Sequence, residues 1–183
     1  MPTQVDDKTI LTLFRTTESR EKAFSQLINQ YQEKLYWHIR RMVVEHEDAN
    51  DVLQNVCIKA WKGLDNFRED SQIYTWLYRI ATNESLSFLD QKKKRNAISI
   101  DAGSSDLSES IKADKYFDAH KLEWKLQLAI QKLPEKQRVV FNLRYYDEMP
   151  YDTMSKVLET SKGALKASYH HAVKKIEDFI LNH

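Results

Sequence analysis

Apolar residues recur at three- and four-residue intervals along most of the chain. Ala23, Leu27, Ile28, Tyr31, Leu35, Ile39 and Met42 form one stripe, which predicts an amphipathic helix over 19–44. Val52, Leu53, Val56, Cys57, Ala60, Trp61 and Leu64 form a second, ended by Gly63 and Asp65. A third, over 73–90, carries Trp76, Leu77, Ile80, Ala81 and Leu86. It is expected to stop at Lys92–Arg95, whose cations suit the negative end of a helix dipole. Leu122, Leu126, Ala129, Ile130 and Leu133 resume the pattern after a gap. Pro134 then fits the first position of another helix, where its missing N–H costs nothing, and Val139, Val140, Leu143 and Tyr146 continue it. Two more helices are expected at 151–158 and 162–181. No segment alternates with period two, so the predicted class is all-α, and three Gly and three Pro leave little turn chemistry for a β-sandwich or barrel.

The gap between the stripes differs in kind. Residues 96–118 hold five acids (Asp101, Asp106, Glu109, Asp114, Asp118) against two bases, Lys112 and Lys115, with Ser and Gly concentrated beside them. Such a segment buries little and reads as a flexible acidic linker. The chain therefore divides into two small helical domains, 1–95 and 119–183, joined by 96–118. The formal net charge of the whole is only +1. That argues against a protein that grips nucleic acid unaided, because phosphate neutralisation dominates such affinity. Cys57 is the one cysteine, so no internal disulfide is possible and a reducing, cytoplasmic setting is expected. The N-terminus carries Asp6 and Asp7 without a long apolar run, so a signal peptide is not expected, nor does any stretch reach the length that spans a membrane.

Three constellations carry chemistry. Tyr151 to His171 reads as a short helix, a three-residue turn and a longer helix, a helix-turn-helix. Ser161 can cap the second helix. Leu165, Tyr169, Val173 and Ile176 share its buried face, while Lys162, Lys166, Ser168 and His170 lie largely off it, where they could meet base edges and phosphates in a major groove. A plain helical hairpin with a solvated polar face gives the same pattern. Glu159 stands at the turn, a place that favours Gly in a left-handed conformation.

Asn66 to Asn83 interleaves Phe67, Tyr74, Trp76 and Tyr78 with Arg68 and Arg79, a mixture suited to single-stranded nucleic acid, where rings stack on bases and cations meet phosphates. Tyr74 lies nearer the loop and is the better stacking candidate; Trp76, on the apolar stripe, reads by itself as packing. Asp51, Gln54 and Asn55 share one side of their helix, which by itself reads as a hydrated face. The six histidines show no metal-ligand spacing, and no Gly-rich phosphate loop or nucleophile motif is present, so neither a cofactor nor an enzymatic role is expected.

In order and spacing the three constellations resemble the extracytoplasmic-function (ECF) class of bacterial RNA polymerase sigma factors, over about 20–90 and 120–180. Asn50-Asp51-Val52-Leu53-Gln54 with Lys59-Ala60-Trp61 is similar to that family's polymerase-binding helix. Phe67-Arg68, Ser71 and Tyr74-Thr75-Trp76-Leu77-Tyr78-Arg79 resemble its promoter-melting segment. Leu133-Pro134-Glu135-Lys136-Gln137-Arg138, with the helix-turn-helix behind it, resembles its region four. The chain departs from the pattern at Asn55, where the family has glutamate, and at Ser168 and His171, where it often has arginine.

The resemblance implies no catalysis by the chain itself. It implies core RNA polymerase bound through Asp51, Gln54 and Asn55. It implies melted minus-ten strand held by Asn66, Phe67, Arg68, Ser71, Tyr74, Trp76 and Arg79, and duplex minus-thirty-five DNA read by Ser161, Lys162, Lys166, Ser168 and His170. An anti-sigma factor is a further partner the family admits. The rival readings are a free-standing helix-turn-helix regulator that needs no polymerase and a helical adaptor that binds only protein.

Overall fold

The computed structural model describes residues 6–98 and 121–182, and every regular element among them is helical. In chain order these are α1 (Asp7–Phe14), α2 (Arg20–Val43), α3 (His46–Gly63), a 3-10 turn (Leu64–Asn66), α4 (Ile73–Ile98), α5 (Lys121–Gln131), α6 (Glu135–Tyr145), α7 (Tyr151–Leu158) and α8 (Lys162–Asn182). The acidic segment expected as a linker lies, from residue 99 on, outside the described residues.

The stripes become the buried faces. Leu27, Leu35 and Ile39 of α2, Val52, Val56 and Ala60 of α3, and Leu77 and Ala81 of α4 pack into one core. Helix α2 ends where Val44 takes a positive φ of 72°, a conformation costly for a β-branched residue, and the chain turns directly into α3. Glu47 and Asp48 open α3, where carboxylates complement the positive end of the dipole.

The structure departs from the sequence-based expectation in three places. Helix α1 was not anticipated; it buries Ile10, Leu11 and Phe14 against α2, and Asp7 accepts the Tyr31 hydroxyl at 2.8 and 2.9 Å. Helix α4 does not stop at Lys92–Arg95 but runs to Ile98. Lys92 donates to Asp48 at 2.7 Å and Glu45 at 3.1 Å, and Lys93 pairs with Glu135 at 2.7 Å, so these cations tie the helix to its neighbours instead of ending it. Pro134 precedes α6 rather than opening it: its ψ of 139° is extended.

Helices α5–α8 have a small core of their own, built from Ala129, Ile130, Leu133, Phe141, Ala172 and Ile176. Their other side closes on α1–α4. Val139, Val140, Leu143, Met149, Met154, Val157 and Leu165 join the same buried cluster as Leu77, Tyr78 and Ala81, with α7 lying along α4 and α6 against α2.

Candidate nucleic-acid interface

The chain between α3 and α4 forms a loop that two ion pairs fix from outside. Arg20 grips Asp65 with both guanidinium nitrogens, and its guanidinium lies 4.2 Å from the Phe14 ring and 5.0 Å from Trp61. The hydrogen bond from Arg20 holds the Asp65 carboxyl below the usual carboxylate range. Nearer the tip, Arg15 donates to Glu69 at 2.7 Å, and Glu69 itself sits at a φ of 59°.

Inside this frame lies a cleft of about 330 Å³, lined by Asn66, Phe67, Arg68, Asp70, Ser71, Trp76, Arg79 and Lys156. Phe67 is buried and backs the cleft, its ring 5.2 Å from Trp76. Trp76 is half-buried and presents part of its ring to the opening. Gly63 makes room for it: a β-carbon there would stand 3.0 Å from Trp76 Cζ2. The glycine's value is thus space, since its φ of −92° is open to any residue.

Six of the seven residues expected at melted DNA therefore meet in one cleft. Tyr74 does not join them. Two residues on a helix turn the side chain through about 200°, and Tyr74 lies instead beside Tyr78, Tyr146, Arg41 and Asp147 in a second cleft. Burial pushes the hydroxyls of both Tyr74 and Tyr78 up from their ordinary value. Asp70 and Lys156 were missed. Asp70 is an acid in a loop read for its bases, and Lys156 is remote in sequence.

On α3, Asp51, Gln54 and Asn55 are all exposed. One turn on, Ile58 is 46% exposed, an apolar side chain in the same row that the polar pattern did not single out.

On α8, Leu165, Ala172 and Ile176 are buried, with Tyr169 and Val173 packed beside them. The Ala164 N–H donates to Ser161 Oγ at 3.3 Å, a helix cap, and Glu159 takes the left-handed conformation at φ 51°. Lys162, Lys166 and His170 form an exposed row at four-residue spacing beside exposed Ser161. Lys162 donates to Asp152 at 2.8 Å, and Lys166 Nζ stands 5.8 Å from the Tyr151 ring. Ser168 is turned away from that row and lines an apolar cleft shared with Thr82, Asn83 and Leu86 of α4. Among the described residues no group of three or more His, Cys, Asp or Glu could hold a metal ion, and no helix is long and apolar enough to cross a membrane.

Residues 27–95 match the family model for sigma-70 region 2, and residues 123–176 match that for sigma-70 region 4. The chain is 31% identical to the RNA polymerase sigma-H factor of Pseudomonas aeruginosa, over 97% of this chain and 95% of that protein. It is also 31% identical to the ECF RNA polymerase sigma-E factor of Escherichia coli, over 97% and 96% respectively. Its fold is similar to the sigma factor RpoE solved with the anti-sigma factor NepR from Bartonella quintana, with a TM-score of 0.67 and 20% identity over 88% of this chain and 98% of that one. CnrH, solved with the cytosolic domain of CnrY, gives the same TM-score of 0.67 at 20% identity, over 95% and 96%. With both halves matched in order and relatives aligned along nearly its whole length, the chain belongs to the ECF class of RNA polymerase sigma factors.

Proposed function

We propose that this sigma factor divides promoter recognition among the three surfaces described above. As a sigma factor the chain binds core RNA polymerase and directs promoter recognition and DNA melting at initiation. In the proposed division, residues 1–95 act as region two, 96–118 as a linker and 119–183 as region four. The exposed row of Asp51, Gln54, Asn55 and Ile58 on α3 docks on the polymerase. The cleft between Asn66 and Arg79 receives an unpaired minus-ten base, with the Trp76 ring as platform and Arg68 and Arg79 toward phosphate. Flipping a base costs a few kcal/mol, offset by stacking and pocket contacts. Lys162, Lys166 and His170 enter the minus-thirty-five major groove. The acidic linker threads the polymerase channel as an anionic stand-in for RNA. The chain works in the cytoplasm, where the polymerase is, performs no catalysis, and takes an anti-sigma factor as a further partner.

The observation that carries the reading is the convergence of Asn66, Phe67, Arg68, Ser71, Trp76 and Arg79 on one cleft. Run-off transcription with purified core polymerase on genomic DNA tests it. Specific transcripts should require both core and this chain, and Arg68→Ala should lose them on duplex templates. Submicromolar, promoter-specific binding by the chain alone, without association with core, would favour the free-standing regulator instead.

A further inference from the structure

We propose that His171 is a second anchor of α8 in the minus-thirty-five groove, gripping a backbone phosphate only as its imidazolium, so that duplex capture takes up a proton from solvent. The inference rests on α8 as the groove helix and adds a residue and a chemistry to it. At about 100° per residue, the nine positions from Lys162 to His171 amount to half a turn of the helix, and the five from Lys166 to about 140°. Leu165, Ala172 and Ile176 mark the buried side of α8. The lysine row and His171 are therefore the two flanks of one exposed face.

Between the flanks stand Gly163 and Ala167, both exposed. A β-carbon on Gly163 would meet nothing within 4 Å, so this strip is bare and lets the helix backbone sit deep in a groove about 12 Å wide. A helix seated in that way presents its flanks to the two sugar–phosphate backbones and its centre to base edges. Lys162 and Lys166 bring permanent charge to one backbone. On the other flank Ser168 lines the cleft against α4, and Lys175 donates to Gln137 of α6 at 3.0 Å. His171 is the donor that remains for phosphate there.

A neutral imidazole offers one N–H and no charge; the imidazolium offers two N–H groups and a full charge. Histidine changes between these forms near neutral pH, and a phosphate in contact favours the charged one. Among the described residues neither His171 nor His170 has a hydrogen-bond or ion-pair partner, and their ring centroids lie 6.0 Å apart. The charges around them on α8 are Lys166 and Lys174, one turn from His170, and Lys175, one turn from His171, with Glu177 and Asp178 two turns on. On α6, Glu135 pairs with Lys93 at 2.7 Å, beside Lys136, buried Arg138, and Arg144 over the Tyr151 ring. On α7, which also bears Lys156, Asp152 is held by Lys162 at 2.8 Å, and Glu159, just past its end, by Arg79 at 3.3 Å. Helix α5, with Glu123, Lys125 and Lys132, packs on the buried side through Ala129 and Ile130. The carboxylates of α6 and α7 are thus engaged elsewhere, and the anion that holds the proton on His171 has to come from DNA.

The test reconstitutes holoenzyme from core polymerase with the full chain or with His170→Gln, His171→Gln or His171→Arg. The probe is a duplex carrying the minus-thirty-five element of a promoter recovered by run-off transcription. Anisotropy at constant ionic strength reads affinity from about pH 6 to about pH 8. Calorimetry in two buffers of different ionisation enthalpy counts the protons taken up. The parent should bind roughly fivefold or more tightly at the acid end and take up between about half and one proton near neutral pH. His171→Gln should lose most of that gain and of the proton, and match the parent at the alkaline end. His171→Arg should bind throughout as the parent does at the acid end. His170→Gln should keep the parent's slope.

A pH profile and proton count unchanged in His171→Gln overturn the assignment, as does a parent that binds equally across the range. A slope lost in His170→Gln and kept in His171→Gln moves the contact to the lysine flank and also overturns it. If melts show His171→Gln unfolded, His171→Arg decides: a slope like the parent's counts against the proposal. Failure of the groove reading itself appears separately, as Lys166→Ala holoenzyme that matches the parent at every pH.

Discussion

Replacing Trp76 with alanine should remove the platform proposed for an unpaired minus-ten base. The ring is held between Gly63, which leaves space at Cζ2, and Phe67, 5.2 Å away, so its exposed part is fixed before DNA arrives. Base–aromatic stacking is worth about 1–3 kcal/mol. At 1.4 kcal/mol per tenfold, that predicts about a five- to 150-fold loss in affinity for the melted strand. Holoenzyme should be assembled on a forked template, unpaired over the minus-ten element, and strand capture measured by anisotropy. Trp76→Phe keeps a ring and should recover much of the loss. The substitution also deletes an aromatic pair worth about 0.5–1.5 kcal/mol to the fold, so a thermal melt must show the variant folded at assay temperature. Tyr74→Ala is the counter-test, because Tyr74 lies outside this cleft and faces region four. A larger loss of strand capture for Tyr74→Ala than for Trp76→Ala would refute the assignment of the cleft.

Three other outcomes are expected. Lys166→Ala should lower duplex affinity of the holoenzyme and, if the lysine meets phosphate, reduce the salt slope by about one unit, measured by titration over several salt concentrations. Asp152→Asn should act in the opposite direction, since it releases Lys162 from a competing carboxylate at 2.8 Å, and should leave the thermal melt nearly unchanged. Tyr31 should titrate at about 12, pushed up from 10.0 first by burial and then by its hydrogen bond to Asp7. Because the folded value is the higher one, its stabilising contribution is complete below about pH 10 and fades as pH rises toward 12. Ultraviolet tyrosinate titration of the parent against Tyr31→Phe reads the first, and the narrowing gap between their denaturation midpoints reads the second.

The long helices were legible because a stripe of seven apolar residues repeated at 3.6 leaves no competing pattern; α2 runs close to the expected 19–44, and α3 ends at Gly63 as expected. Helix α1 escaped for want of length. Its eight residues bury only Ile10, Leu11 and Phe14, too few to separate a helical stripe from a chance cluster, and its anchor is Asp7 on Tyr31. The end of α4 escaped for a different reason. A run of four bases is a sound stop signal in isolation, but Lys92 and Lys93 reach carboxylates on α3 and α6, and those partners are invisible to local pattern. The cleft was mostly legible because its residues are near in sequence. The choice between Tyr74 and Trp76 depended on helical phase against a neighbour not yet known. Asp147 of the second cleft was silent, because only the folded chain brings it beside Tyr74.

The fold also bears on why the free chain should be a poor DNA binder. A net charge of +1 gives little long-range attraction to a polyanion. Two of the cations proposed for DNA are already engaged: Arg79 with the Lys156 carbonyl and Glu159, and Lys162 with Asp152. A phosphate contact by Arg79 or Lys162 would first have to break one of these. Exposed pairs such as Lys162–Asp152 are weak and yield readily. Arg79 is different, because releasing it means lifting α7 from α4 and separating the buried surface around Leu77, Met154 and Val157. DNA alone offers no compensating contact for that apolar surface.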